Sequence, residues 1–128
     1  MILDTSAVVA AISEEEGAKE LLEKMGSAPS LAMGTATLVE ASVVLIGRHG
    51  TSGQDALSRF VTERDVSIVR FDSKHWKAAA TAYSEFGKGR HPARLNLGDC
   101  MSYATAKVAG EPLLFTGNDF ARTDIAPA

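Results

Sequence analysis

One cysteine, Cys100, in a chain of 128 residues excludes an internal disulfide framework and a thiolate-rich zinc site. The three histidines are scattered without metal-ligand spacing, so zinc is not expected. No apolar run approaches the roughly 20 residues a membrane helix needs. The N-terminus also lacks the basic-then-apolar pattern of a secretory signal, and the expected compartment is the cytoplasm, with no membrane partner. There is no internal repeat, low-complexity tract or convincing linker. The chain also lacks an excess of positive charge: its formal net charge is −3, which argues against wholesale electrostatic binding of nucleic acid. The charges are nonetheless unevenly placed. Acids gather in "SEEEGAKE" and bases in "GKGRHPAR", and a local basic strip can track phosphates on an acidic protein.

What is present is the balance of a globular domain, 45% hydrophobic and 23% charged, with enough length for one core and too little for two. Residues 1–128 are read as one domain. "MILD" reads as a short buried strand, and "TSAVVAAISEEE" shifts to a helical pattern with Thr5 or Ser6 as cap. "SEEEGAKELLEKMG", from Ser13 to Gly26, places Ala18, Leu21, Leu22 and Met25 at helical spacing. A brief apolar stretch, "LAM", precedes "TATLVEASVVLIGRHG", whose length favours a helix buried on most sides over a strand. "SGQDALSRFVTERD" is a further helix with Leu57, Phe60 and Val61 on one face, followed by the strand "VSIVRF". "SKHWKAAATAYSEFGKG" is an Ala-rich helix, and "GKGRHPARLNLG" is a loop. "DCMSYATAKVAG" is a helix closed by Gly110, and "PLLFT" is a buried strand. Short strands separated by helices imply an α/β architecture with a mainly parallel sheet and helices on both faces, because parallel neighbours need crossover connections.

Four acids lie beside apolar sequence instead of in a solvated charge run. Asp4 ends the first strand, Glu40 interrupts "TLVEASVVLI", Asp99 opens a helix and Asp119 follows the last strand. In an open parallel sheet the carboxyl ends of the strands and the adjoining helix starts form the crevice where ligands bind. Asp4 and Asp119 are therefore expected at one edge, with Asp99 entering from its helix N-terminus. An ionised Glu40 in apolar surroundings requires compensation. Clustered carboxylates raise one another's pKa, and a divalent cation removes that repulsion; oxygen-only ligands suit Mg²⁺ or Mn²⁺. Each acid also has a plainer role available. Asp4 is a good helix cap, Asn96 and Asp99 have capping-box spacing, Glu40 has Arg48 as a candidate partner, and Asp119 suits a turn.

These residues carry a resemblance. "ILDTSAVVA", "TLVEASVVL", "LNLGDCMSYATAK" and "PLLFTGNDF", in that order across nearly the whole chain, resemble the successive signatures of PIN-domain ribonucleases, and specifically of VapC-type toxins from bacterial toxin–antitoxin pairs. The stretch "KGRHPARLNLGDC" further resembles one VapC subgroup. The resemblance implies a PIN-like three-layer α/β/α sandwich and a metal-dependent endoribonuclease leaving a 5′-phosphate and a 3′-hydroxyl. It implies Asp4, Glu40 and Asp99 as core acids, with Asp4 and Asp99, joined by Asp119, as metal ligands. It also implies a VapB-type antitoxin that places a basic side chain among the carboxylates, and a homodimer or larger assembly. The last motif departs from the family: in the usual "LxxTxD" register the acid's position is held here by Asn118, and Asp119 comes one residue later. Asn118 and Asp119 both stay open as the fourth group.

Ser6 and Thr116 are candidates for orienting the acids. Lys88, Arg90, His91 and Arg94 are candidates for steering RNA phosphates. Cys100 is expected to pack and not to react, and Trp76 and Tyr83, at helical spacing, are expected in the core. Val8, Ile12, Leu21 and Leu45 are read either as core or as part of a partner interface. Two other classes compete. A phosphatase or phosphotransferase also uses a strand-terminal Asp, but "LDTSA" lacks the second Asp two residues later of a haloacid-dehalogenase-type motif. A catalytically idle module that acts only through its partner needs the acids solely as caps.

Overall fold

A computed structural model describes residues 1–128. The order is β1 (Ile2–Leu3), α1 (Thr5–Ile12), α2 (Ala18–Ser27), β2 (Ala32–Gly34), α3 (Thr35–His49), α4 (Thr51–Glu63), β3 (Ser67–Val69), α5 (Ser73–Phe86), α6 (Leu97–Ala109) and β4 (Leu113–Leu114). The strands form one sheet in the order β3-β2-β1-β4, and every pairing is parallel. Because successive strand residues face opposite sides of a sheet, the strands β1, β2 and β4 feed two cores. Leu3, Met33 and Leu114 join a cluster with residues of α1 to α4, whereas Ile2 and Leu113 join a second cluster with residues of α5, α6 and the C-terminal segment. The result is the three-layer sandwich with a parallel sheet.

The sheet order matters for the site. β1 is central, flanked by β2 and β4, so the residues just past β1 and β4 emerge side by side. The backbone amide of Asp4 donates to the Leu114 carbonyl at 2.9 Å.

Several local expectations change. The first helix is capped by Asp4, not by Thr5 or Ser6: the carboxylate accepts the Ser6 amide. The helix expected from Ser13 begins only at Ala18, because Glu14 at φ 52° and Gly17 at φ 84° adopt left-handed backbone, which breaks helical continuation. Helix α3 is not buried on most sides. Thr37, Ala41 and Leu45 face inward, while Val39, Val43 and Ile46 are exposed. Val8, Leu21 and Leu45 are buried core residues, which removes them from the interface reading, and Ile12 is half-buried against the same cluster. Trp76 and Tyr83 are not core residues: they are 63% and 42% exposed. Helix α5 turns His75 and Ala82 inward instead, and His75 is held there by the reciprocal capping box with Asp72.

Candidate acidic site

Asp4 follows β1 and is buried, 4% exposed. Its Oδ2 accepts hydrogen bonds from the Ser6 amide at 2.9 Å and the Ser6 hydroxyl at 2.5 Å. Ser6 Oγ in turn accepts the Thr116 amide at 3.0 Å, so one hydroxyl ties the acid after β1 to the loop after β4. Oδ1 of Asp4 is left without a protein donor. The cap and the crevice placement are therefore compatible, since capping occupies only one carboxylate oxygen.

Glu40 sits on α3, half-buried, and its Oε2 accepts from the Thr5 hydroxyl at 2.7 Å. That bond supplies the compensation its setting requires. Arg48 does not provide it: its guanidinium pairs with Glu15. The other oxygen of Glu40 lies against the start of α6, where a Cβ built on Gly98 would stand 2.1 Å from Oε1. Glycine at 98 is what allows the helix start to approach this carboxylate.

Asp99 is the third residue of α6. It forms the expected reciprocal box with Asn96: Asp99 Oδ2 accepts the Asn96 amide at 2.8 Å, and Asn96 Oδ1 accepts the Asp99 amide at 2.9 Å. A carboxylate at a helix N-terminus with an amide donor is ordinarily held low. Here Asp99 is pushed up to about 6, first by burial and then by the negative charges of Asp4, Asp119 and Glu40. The raised value records the convergence of all four acids on one region.

Asp99 is also the wall between two recesses. One, of about 290 Å³, is lined by Asp4, Thr5, Ser6, Glu40, Arg48 and Thr116 together with Asp99. The other, of about 640 Å³, adds Lys88, Arg94, Asn118, Asp119 and Arg122. Asn118 and Asp119 both line the crevice, but only Asp119 contributes a charge that Asp99 feels. Of the basic residues in the loop, Lys88 and Arg94 reach the crevice. Arg90 lies over the Tyr83 ring at 6.0 Å. His91 is turned into its own loop, where Nδ1 accepts the Ala93 amide at 3.1 Å. Thr5 and Arg122 line these recesses without having been expected there, whereas Arg48, expected as a partner of Glu40, lines one of them while paired with Glu15. Thr5 adjoins Asp4, and Arg122 follows Asp119 by three residues.

The donor set suits a hard divalent cation: the groups are oxygen-only, and their mutual repulsion is the kind a cation relieves. It is not a preformed cage, since no group of three or more His, Cys, Asp or Glu side chains is arranged to hold an ion. Cys100, buried beside Asp99, has its thiol pushed up to about 11 by burial and by the Asp99 charge, which fits packing and not nucleophilic chemistry. No helix is long and apolar enough to cross a membrane.

A parallel sheet sandwiched by helices, with acids converging where β1 and β4 end, is the arrangement of a PIN domain. The PIN domain family profile matches residues 1–126. Over 126 residues the chain is 43% identical to a ribonuclease VapC of Mycolicibacterium smegmatis, covering 98% of each sequence. It is also 43% identical over 129 residues to ribonuclease VapC42 of Mycobacterium tuberculosis, covering all of this chain and 98% of that one. The chain therefore belongs to the PIN-domain family and, within it, to the VapC ribonucleases. The fold is shared with VapC20 of Mycobacterium tuberculosis, described as a Sarcin-Ricin loop cleaving toxin (TM-score 0.80, 15% identity, 99% and 97% of the two chains). It is also shared with VapBC2 of Rickettsia felis, solved bound to a DNA fragment from its promoter (TM-score 0.76, 19% identity, 98% and 94%). A toxin–antitoxin complex from Klebsiella pneumoniae is a further structural neighbour (TM-score 0.69, 22% identity, 96% and 92%).

Proposed function

We propose that this chain is the toxin of a toxin–antitoxin pair, acting in the cytoplasm as a single PIN domain, and that it hydrolyses RNA phosphodiester bonds at the crevice of Asp4, Glu40, Asp99 and Asp119. The observation that carries this reading is the meeting of Asp4, Glu40 and Asp99 around one recess, with Asp99 also lining the adjoining recess that holds Asp119. Asp4, Asp99 and Asp119 would hold Mg²⁺ or Mn²⁺, which lowers the pKa of bound water and neutralises charge on the scissile phosphate. The chain's own residues do the positioning. Ser6 holds one oxygen of Asp4 and keeps the Thr116 backbone beside it. Thr5 fixes Glu40, and the Asn96 box fixes Asp99. Lys88, Arg94 and Arg122 give a concentrated negative strand a counter-charge at the rim. Water adds across the P–O3′ bond, leaving a 5′-phosphate, while the proton passes to the departing 3′-oxygen.

An antitoxin that inserts a basic side chain among these carboxylates fits their common charge, and a homodimer or larger assembly is the expected form. Incubating purified protein and RNA with Mn²⁺ or Mg²⁺ tests the activity, and mapping 5′ ends of cellular RNAs after expressing the wild type and Asp4→Asn identifies the target. New 5′-phosphate ends are expected with the wild type alone. Intact RNA across many sequences, under conditions where an active relative cleaves, overturns the reading.

A further inference from the structure

The smaller recess, where Asp4, Glu40 and Asp99 meet, is lined by a single cation. Arg48, from the last turn of α3, stands there together with Glu15, from the turn between α1 and α2. Lys88, Arg94 and Arg122 all line the other recess instead. With three acids of the site beside it, Arg48 pairs with none of them. Its Nη1 donates to Glu15 Oε1, a residue 33 positions away in sequence. The two side chains are 48% and 45% exposed, so the pair is in contact with water and opens at little cost.

The backbone holds Glu15 in place from both sides. Its amide donates to the Ala10 carbonyl at 3.0 Å, and its carbonyl accepts the Ala18 amide at 2.9 Å. The preceding residue, Glu14, takes left-handed backbone at φ 52°, which is unfavourable for a residue with a Cβ. Glu15 is thus a fixed partner, set before any ligand arrives. What the pairing prevents follows from charge. A guanidinium never loses its proton and fits a carboxylate bidentately. Released from Glu15, it would settle on Asp4 or Glu40 and take the place of a divalent cation. Held by one nitrogen, it keeps its other donors without a partner in the chain and directed to whatever enters the mouth. Asp99 is the wall between the recesses, so a strand whose phosphate lies at Asp99 has Lys88, Arg94 and Arg122 on one side and Arg48 on the other.

We propose that Arg48 binds an RNA phosphate on the far side of the site from Lys88, Arg94 and Arg122, and that Glu15 is a positioning residue that keeps the guanidinium at the mouth and off the carboxylates. The inference rests on the ribonuclease reading. It adds to that reading a second phosphate position and a reason the acids stay open to a cation.

Glu15→Ala, Arg48→Ala and the double variant test both halves, with melting curves to establish that each folds. The EPR signal of free Mn²⁺ gives the ion's affinity without RNA or turnover. Glu15→Ala should weaken Mn²⁺ binding about tenfold, because Arg48 then competes for the carboxylates. In the Arg48→Ala background the same substitution should change it by no more than about twofold. An equal loss in both backgrounds overturns the positioning role, since Glu15 then acts through its own charge. The phosphate contact is read from the anisotropy of a labelled single-stranded RNA in EDTA over a series of salt concentrations. Arg48→Ala should weaken binding and reduce the slope of log affinity against log salt by about 0.7, the share of one phosphate on a single strand. Arg48→Lys should keep the wild-type slope. A slope unchanged in Arg48→Ala overturns the contact. Mn²⁺-dependent cleavage by the wild type separates the two levels. Cleavage with an unchanged Arg48→Ala slope removes only the Arg48 contact, whereas a wild type that neither binds Mn²⁺ nor cleaves removes both readings.

Discussion

Two carboxylates meet helix α6 at different heights and are treated in opposite ways. Asp124, from the C-terminal segment, accepts the Tyr103 hydroxyl and the Lys107 ammonium, each at 2.6 Å, and these bonds hold it below the usual carboxylate range. Asp99, in the first turn, has one backbone amide on one oxygen, and burial with three neighbouring acids pushes it up to about 6. An acid that serves the fold is given a hydroxyl and a cation. Asp99, in the proposed site, is left under-compensated, so that free energy remains for a cation or a substrate to recover.

The largest break in this comparison is removal of a charge from the crevice. Asp4→Asn should lower RNA cleavage more than about 100-fold, exceeding the 10–100-fold usual for losing an outer-shell partner of a metal ligand, with a near-native melting curve. Cleavage at wild-type rate would move the chemistry elsewhere. One step smaller, Gly98→Ala puts a methyl where the Glu40 carboxylate now lies. Because the displaced group is the end of a flexible side chain, cleavage should fall roughly 10-fold or more while thermal stability stays nearly unchanged. Ser6→Ala, which removes the hydroxyl bond to Asp4 and the acceptor of the Thr116 amide, should fall in the same range.

The fourth position is resolved by paired variants: Asp119→Ala should impair cleavage or Mn²⁺ binding more than Asn118→Ala. The reverse order places Asn118 in the pocket.

The smallest effects are on stability, and their signs differ between the two acids. The folded, metal-free protein holds the Asp99 proton more tightly than the unfolded chain between the ordinary value of 3.8 and about 6. Its contribution to stability therefore decreases as pH rises through that window and is constant above it. After allowance for solvent screening, Asp99→Asn should stabilise the metal-free protein at neutral pH by roughly 1 kcal/mol while abolishing cleavage; denaturant melts at pH 5 and pH 7.5 check both. Asp124 runs the other way. Its lowered pKa adds stability above the ordinary carboxylate value that is lost as pH falls below it, and Asp124→Ala should cost about 1 kcal/mol with cleavage little changed.

Much of this was legible along the chain because local rules and tertiary placement agreed. The Asn96–Asp99 box, the glycine stop at 110 and the short strands between helices all follow from spacing. The aromatic pair was misread for a physical reason: helical spacing shows that Trp76 and Tyr83 share a face, not which face the neighbours cover, and α5 buries the stripe of His75 and Ala82 instead. The helix expected from Ser13 failed because composition does not reveal that Glu14 and Gly17 take left-handed backbone. Thr5 and Arg122 were missed because their relation to the acids is through space, and the pairing of Glu40 with Arg48 was misjudged because Glu15 takes that guanidinium.

The sequence by itself determined the kind of fold, the order of its elements and the acids available for chemistry, since hydrophobic period and residue type act locally. Only the tertiary structure decided that Asp4 and Thr116 share one serine and that Glu40 lies against Gly98. Those relations depend on β1 lying between β2 and β4 and on α6 approaching α3, which no stretch of sequence carries alone.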